Sequence, residues 1–152
     1  MGKKYSKQIN EVLAVLQNEV RGNTHSALLK LTDDYSMTWV YKKRDGSLFP
    51  STQKNIESEL NEAYVIRGRE YEIKNIAEGE AVVMIELIES YPDPETGMIY
   101  RTPLVLVLEM TGEKIRTGRH YCDPNLSYEN LSETEINSAY KNSQTTSFKI
   151  TK

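Results

Sequence analysis

The stretch AVVMIELIE, residues 81–89, has apolar side chains at both odd and even positions. Successive side chains of a β-strand point to opposite faces of its sheet, so such a run needs burial on both sides. Leu104–Leu108 repeats the pattern as LVLVL. The connection between the two runs, Tyr91-Pro92-Asp93-Pro94-Glu95-Thr96-Gly97, is dense in turn formers and reads as a hairpin. An antiparallel sheet usually leaves one face to water, so two neighbouring doubly apolar strands call for two covers. Helices can supply one. For the other, a second copy of the chain is expected, a homodimer through the sheet, since an exposed apolar face would otherwise be a liability.

The β pattern extends in both directions. Upstream, Tyr71 and Ile73 alternate with Glu70, Glu72 and Lys74, ahead of a turn at Glu78-Gly79-Glu80. Downstream, Thr111-Gly112-Glu113-Lys114 turns into a last strand, Ile115–Cys122. On that strand Arg116, His120 and Cys122 share one face; Thr117, Arg119, Tyr121 and Asp123 share the other.

Helices come first in the chain. Ile9, Val12, Leu13, Leu16 and Val20 form one apolar stripe at helical spacing, with Ser6 as N-cap and Gly22-Asn23 as the stop. Thr24 opens a short second helix carrying Ala27, Leu28 and Leu31, which Asp33-Asp34 breaks. A strand follows over 35–42, with Tyr35, Met37, Trp39 and Tyr41 on one face. After a loop containing Asp45-Gly46 and Pro50, Ser51 or Thr52 opens a third helix with Ile56, Leu60, Ala63 and Tyr64 on one side. Strands at 35–42, 69–76, 81–90, 98–110 and 115–122 are thus expected to form a bent antiparallel sheet on helices 6–22 and 51–65. Beyond Asp123-Pro124 the chain turns polar. Ser132-Glu133-Thr134-Glu135 is a capping box ahead of a short helix, and Lys141–Lys152 is expected to fray.

Composition narrows the function. The 152 residues fit one domain with a core that needs no staples. The net charge of -3 gives no footprint for nucleic acid, and no run approaches the ~18 apolar residues of a membrane span. Cys122 is the only cysteine, so no internal disulfide forms and an oxidising compartment is not implied. A cytoplasmic location is the default. Gly2 and Ser6 match the loose myristoylation pattern, and two N-L-S sequons occur at Asn125 and Asn130, all read as chance matches. His25 and His120, far apart in sequence, with a lone cysteine, make a zinc site improbable, and no cofactor motif or phosphate-cradling glycine loop is present.

The order helix, helix, strand, helix and four antiparallel strands resembles the nuclear-transport-factor-2-like superfamily, in particular its SnoaL-like and ketosteroid-isomerase-like members. Two stretches carry the resemblance, Ala27–Trp39 (ALLKLTDDYSMTW) and Thr111–Asp123 (TGEKIRTGRHYCD), within a matching span of about residues 6–128. The resemblance implies an α+β fold, a curved antiparallel sheet wrapped around N-terminal helices as a cystatin-like cone. It divides the chain into a cone domain, 1–128, and a polar C-terminal helix and tail, 129–152. It also implies an apolar pocket and, often, dimerisation through the sheet. Members include isomerases, cyclases, epoxide hydrolases, dehydratases and non-catalytic binding modules.

Carried over residue by residue, the site is incomplete. The position of the ketosteroid isomerase general base is Trp39, and indole cannot abstract a proton. Limonene-type epoxide hydrolases use an Arg-x-Asp and a later Asp; here Leu87 and Glu89 fall on the first pair and His120 on the second. The candidates are therefore His120 as acid/base, since imidazole titrates near neutral pH, and Glu89. Facing the pocket, Glu89 would polarise His120 or be raised in pKa by burial; on the rim it would be solvated. Trp39, Met37, Tyr41 and Tyr64 are the candidate ligand-binding residues. Asp123, opposite His120 and before Pro124, suits a turn. A Cys122–His120 nucleophilic pair lacks an orienting third group. Three readings stand: a module binding a small apolar or carbonyl-bearing ligand, an isomerase, cyclase or hydrolase built on His120, and a structural dimerisation domain.

Overall fold

A computed structural model of the chain describes residues 4–52, 57–58, 60–61, 67–126 and 129–152. Helix α1 (Lys7–Arg21) starts at Ser6, whose side chain accepts the Ile9 N–H, and stops at Gly22, which adopts a φ of 71°. Helix α2 (Thr24–Leu28) is capped by Asn23 rather than Thr24. Strands β1 (Leu31–Trp39), β2 (Ser51–Thr52), β3 (Glu70–Glu78), β4 (Val82–Pro92), β5 (Ile99–Thr111) and β6 (Lys114–Tyr121) follow. Helix α3 (Glu133–Ser138) and strand β7 (Phe148–Ile150) complete the chain.

The strands form one curved, open sheet in the order β2-β1-β6-β5-β4-β3-β7. The α+β expectation holds. Every pairing but one among the described residues is antiparallel; β1 runs parallel to β6. Bulges near Lys74 and at Glu109/Met110 bend the long strands. The concave face meets α1: Val12, Leu16 and Val20 join Ile73, Val83, Ile85, Leu87, Leu106 and Leu108 in one buried cluster.

Four expectations are corrected. Asp33 and Asp34 do not end a helix; they lie inside β1, exposed, because the register with β6 slips between Leu31 and Ser36 while Leu31 and Tyr35 stay buried. Arg116 leaves the face of His120: a matching slip puts it at the surface, 3.6 Å from Asp34 Oδ2, and turns Ile115 inward. Ser51 and Thr52 pair with β1 instead of opening a helix; helix is described at Glu57, Ser58, Leu60 and Asn61, and Ile56, Ala63 and Tyr64 lie outside the described residues. The last residues do not fray. β7 pairs with β3 and buries Ile150, and Gln17 on α1 donates to the Thr151 carbonyl at 3.1 Å.

The convex face is partly covered by the chain itself. Helix α3, with the expected capping box at Ser132 and Glu135, buries Ile136, which shares a narrow gap with Ile88. Lys74 donates to Glu72 at 2.6 Å and to Asn137 at 2.8 Å, and its ammonium stands 4.6 Å from the Tyr140 ring centre. Further along the same face Met84 is 45% exposed, beside half-buried Val82, Val105 and Val107.

Candidate functional site

Two strand ends that meet in register build one side of the site. Trp39 on β1 pairs with His120 on β6, and the Val40 N–H donates to the His120 carbonyl at 2.9 Å. Their rings stand 6.3 Å apart, tilted by 40°. Two residues earlier, Met37 lies across Gly118. A Cβ at Gly118 would come within 2.7 Å of Met37 Cε, so the glycine is what lets this thioether reach the concave face. The imidazole of His120 is largely enclosed, and its Nδ1 has no hydrogen-bond partner among the described residues. Burial lowers its pKa, against the opposing pull of the Glu89 charge, so the ring is neutral at physiological pH.

Glu89 faces Tyr71 across the β3–β4 ladder and Thr102 across β4–β5. Arg69, just ahead of β3, donates from Nη1 to Glu89 Oε2 at 2.6 Å, with the two side chains 10% and 19% exposed. Burial opposes the guanidinium charge, but Glu89 and the hydroxyl of Tyr71 hold it more firmly than usual. Its plane also stands 5.2 Å from the centre of the Tyr91 ring.

Glu19 closes the inner end. It lies on the apolar stripe of α1, seven residues after Val12, where the helix turns it toward the sheet. The Tyr71 hydroxyl donates to Glu19 Oε2. Burial pushes the Glu19 carboxyl up to about 7, although the Tyr71 hydrogen bond and the Arg69 charge pull it down. The residue keeps some accessible surface because it looks into a cavity; protein encloses it on its other sides.

That cavity, of about 280 Å³, unites these groups. Leu16, Met37, Leu60, Leu104 and Leu106 give it apolar walls; Glu19, Tyr71, Arg69, Glu89 and His120 form a polar seam. Its volume lies just under the lower edge of ordinary ligand sites, on the order of 300–1,000 Å³. Trp39, Glu89 and His120 also line an open outer cleft of about 440 Å³, so they form the neck between cavity and solvent.

Of the residues singled out from sequence, His120, Glu89, Trp39 and Met37 converge on the cavity. Tyr41 does not: the chain turns at Trp39, and Tyr41 lines the outer cleft. Tyr64 lies outside the described residues. Asp123 caps a turn, accepting the Asn125 N–H at 2.9 Å. Burial raises the Cys122 thiol to about 11, with the charges of Glu89 and Asp123 adding to the shift, which leaves no thiolate at neutral pH. Sequence reasoning missed Glu19, Arg69 and Tyr71. A carboxylate on an apolar helix stripe was a usable signal for Glu19. Nothing local marks Arg69, which lies just ahead of β3 and reaches Glu89 only once β3 and β4 have paired.

No family model and no curated protein matches the chain. Solved structures do. An LEH-like epoxide hydrolase of M. tuberculosis superposes with a TM-score of 0.64 at 17% identity, over 88% of this chain and 96% of that one. An NTF2-like protein of unknown function from Cytophaga hutchinsonii gives 0.61 at 13% identity, over 85% and 100%. A protein with a ketosteroid isomerase-like fold from Catenulispora acidiphila, in complex with trimethylamine, gives 0.64 at 13% identity, over 77% and 88%. The chain has the nuclear-transport-factor-2-like, ketosteroid-isomerase-like fold, and at these identities the likeness is one of fold alone.

Proposed function

We propose that the protein binds a small, largely apolar molecule carrying a carbonyl or comparable oxygen, with that oxygen turned toward the polar seam. The observation that carries this reading is the Nδ1 of His120, buried on the cavity wall with no partner among the described residues. A polar atom buried without a partner costs about 1–3 kcal/mol, which a ligand atom hydrogen-bonded there offsets. The apolar walls supply the remaining affinity, and at about 30 Å³ per water-sized group the cavity holds on the order of ten non-hydrogen atoms. A native mass spectrum of freshly purified protein should show a retained small mass that denaturation releases. Trp39, the only tryptophan, should report added cyclic ketones by fluorescence, and Trp39→Ala should weaken their binding. Protein that is empty in repeated preparations and silent to such ligands would contradict the reading.

A second reading, acid/base catalysis, is favoured by one specific feature. Burial moves Glu19 up to about 7 and His120 down from its ordinary value, which places a carboxyl that keeps its proton near neutral pH and a neutral imidazole in one cavity. Under this reading an isomerisation, cyclisation or hydration uses His120 as the group that takes or returns the proton, while Arg69 holds the Glu89 side chain in place beside it. His120→Gln should then lower turnover about 10²–10⁴-fold with affinity nearly unchanged. In a pure binding protein the same change shifts affinity and there is no turnover to lose.

Two further proposals concern setting. The open part of the convex face, around Met84, Val105 and Val107, suits a second copy of the chain, which would make a homodimer through the sheet. A cytoplasmic location is proposed because the single cysteine needs no oxidising compartment.

A further inference from the structure

Resting on the cavity reading above, we propose that the ligand is an organic anion, its apolar body and the oxygen that meets His120 in the cavity and a carboxylate or phosphate at the basic hairpin Lys42-Lys43-Arg44. The geometry is a continuous path. The cavity and the outer cleft share Trp39, Glu89 and His120. The outer cleft in turn shares Tyr41 and Pro124 with an open recess of about 530 Å³, walled by Lys42, Lys43, Arg44 and Asp45. A molecule leaving the neck toward this recess meets three consecutive cations.

The hairpin is a built turn. The Lys43 N–H donates to the Ser47 carbonyl at 2.9 Å, the Gly46 N–H to the Lys43 carbonyl at 3.0 Å, and Lys42 bridges Leu48. Gly46 takes a φ of 91°, which an ordinary side chain would oppose. The carboxylates along the path are each held by hydrogen bonds or an ion pair. Asp45 accepts from the Ser47 N–H and hydroxyl at 2.8 and 2.6 Å. Asp93 accepts the Glu95 and Thr96 N–H groups and the Tyr100 hydroxyl. Glu89 is matched by Arg69. Lys42 and Lys43 are exposed and make no ion pair among the described residues. Three cations against the single carboxylate of Asp45 leave the wall of this recess a formal excess of two positive charges in a chain of net charge -3, which favours anions over cations.

The test uses Trp39 at the neck as the reporter and three probes of one chain length: dodecyl phosphate, dodecanoate and dodecanol, each below its micellar concentration. At low salt the two anions should bind about three- to tenfold more tightly than the alcohol, as contacts with the two exposed lysines allow. That ratio should shrink as salt rises and fall toward one in the Lys42→Ala/Lys43→Ala double variant. The phosphate, with the larger charge, should show the steeper salt dependence; equal slopes would assign the site to carboxylates. Equal affinity of alcohol and anions, or a ratio that survives the double variant, overturns the inference while leaving the cavity reading intact. Silence of all three probes beside a response to cyclic ketones overturns the inference alone; silence to the ketones as well overturns both.

Discussion

Glu19 and Tyr71 face each other at the closed end of the cavity, and the raised carboxyl makes that contact sensitive to pH. In the folded protein Glu19 titrates at about 7, against an ordinary value of 4.5, so the native state holds its proton more tightly than the unfolded chain. The stability this supplies is complete below about pH 4.5 and is lost as pH rises through 7. Glu19→Gln keeps a hydrogen-bonding partner for Tyr71 and cannot ionise. Its stability relative to the native protein should therefore climb by on the order of 1–3 kcal/mol between pH 4.5 and 8, measured by urea unfolding at each pH. A flat difference would show that Glu19 is not the group concerned. His120 acts in the opposite sense, since its lowered pKa removes stability as pH falls below about 6.5, and it cancels in the comparison because both proteins carry it. At this scale the sequence revealed the residues whose chemistry is unusual for their surroundings. His120 stood out on the last strand, whereas Arg69 and Tyr71 look like ordinary strand residues until the fold brings Glu89 and Glu19 to them.

Among the elements, those with strong periodicity were readable in advance and those held by their neighbours were not. The stripe of α1 and the doubly apolar runs of β4 and β5 are written in local pattern. β1 begins earlier than its sequence suggests, because paired aspartates resemble a helix stop and only the slip against β6 lets them stay in water. β7 is three residues long and owes its form to the free edge of β3. Helix α3 was legible through its capping box, but its place on the convex face was not. That placement carries a prediction. Ile136→Ala should destabilise the whole domain by about 2–5 kcal/mol, as expected for a buried aliphatic, and Ser132→Ala by about 1 kcal/mol through the lost cap. A cost below about 0.5 kcal/mol for Ile136→Ala in urea unfolding would mean that the tail folds apart from the sheet.

For the molecule as a whole, the double apolarity of β4 and β5 was correctly read as a demand for two covers, but their identity was only half legible. The chain folds its own C-terminal segment over part of the convex face and leaves the region of Met84 open. If a second copy covers that region, sedimentation at micromolar concentration should give the mass of a dimer, and Met84→Glu with Val107→Glu should give a monomer of unchanged circular dichroism. A stable dimer generally buries more than about 2,000 Å² in total, so a native monomer would remove the proposal. The parallel pairing of β1 with β6 was not legible at all, since no local pattern says which strand will occupy a given edge. It has a temporal side. Trp39 and His120 are partners in register yet lie more than half the chain apart, and closing so long a loop is entropically slow. During synthesis β1 must therefore wait for its parallel partner until the residues of β6 have been made. The neck of the cavity is among the last parts of the molecule to be made, and a chain interrupted before residue 120 has every strand up to β5 but lacks the imidazole that completes the site.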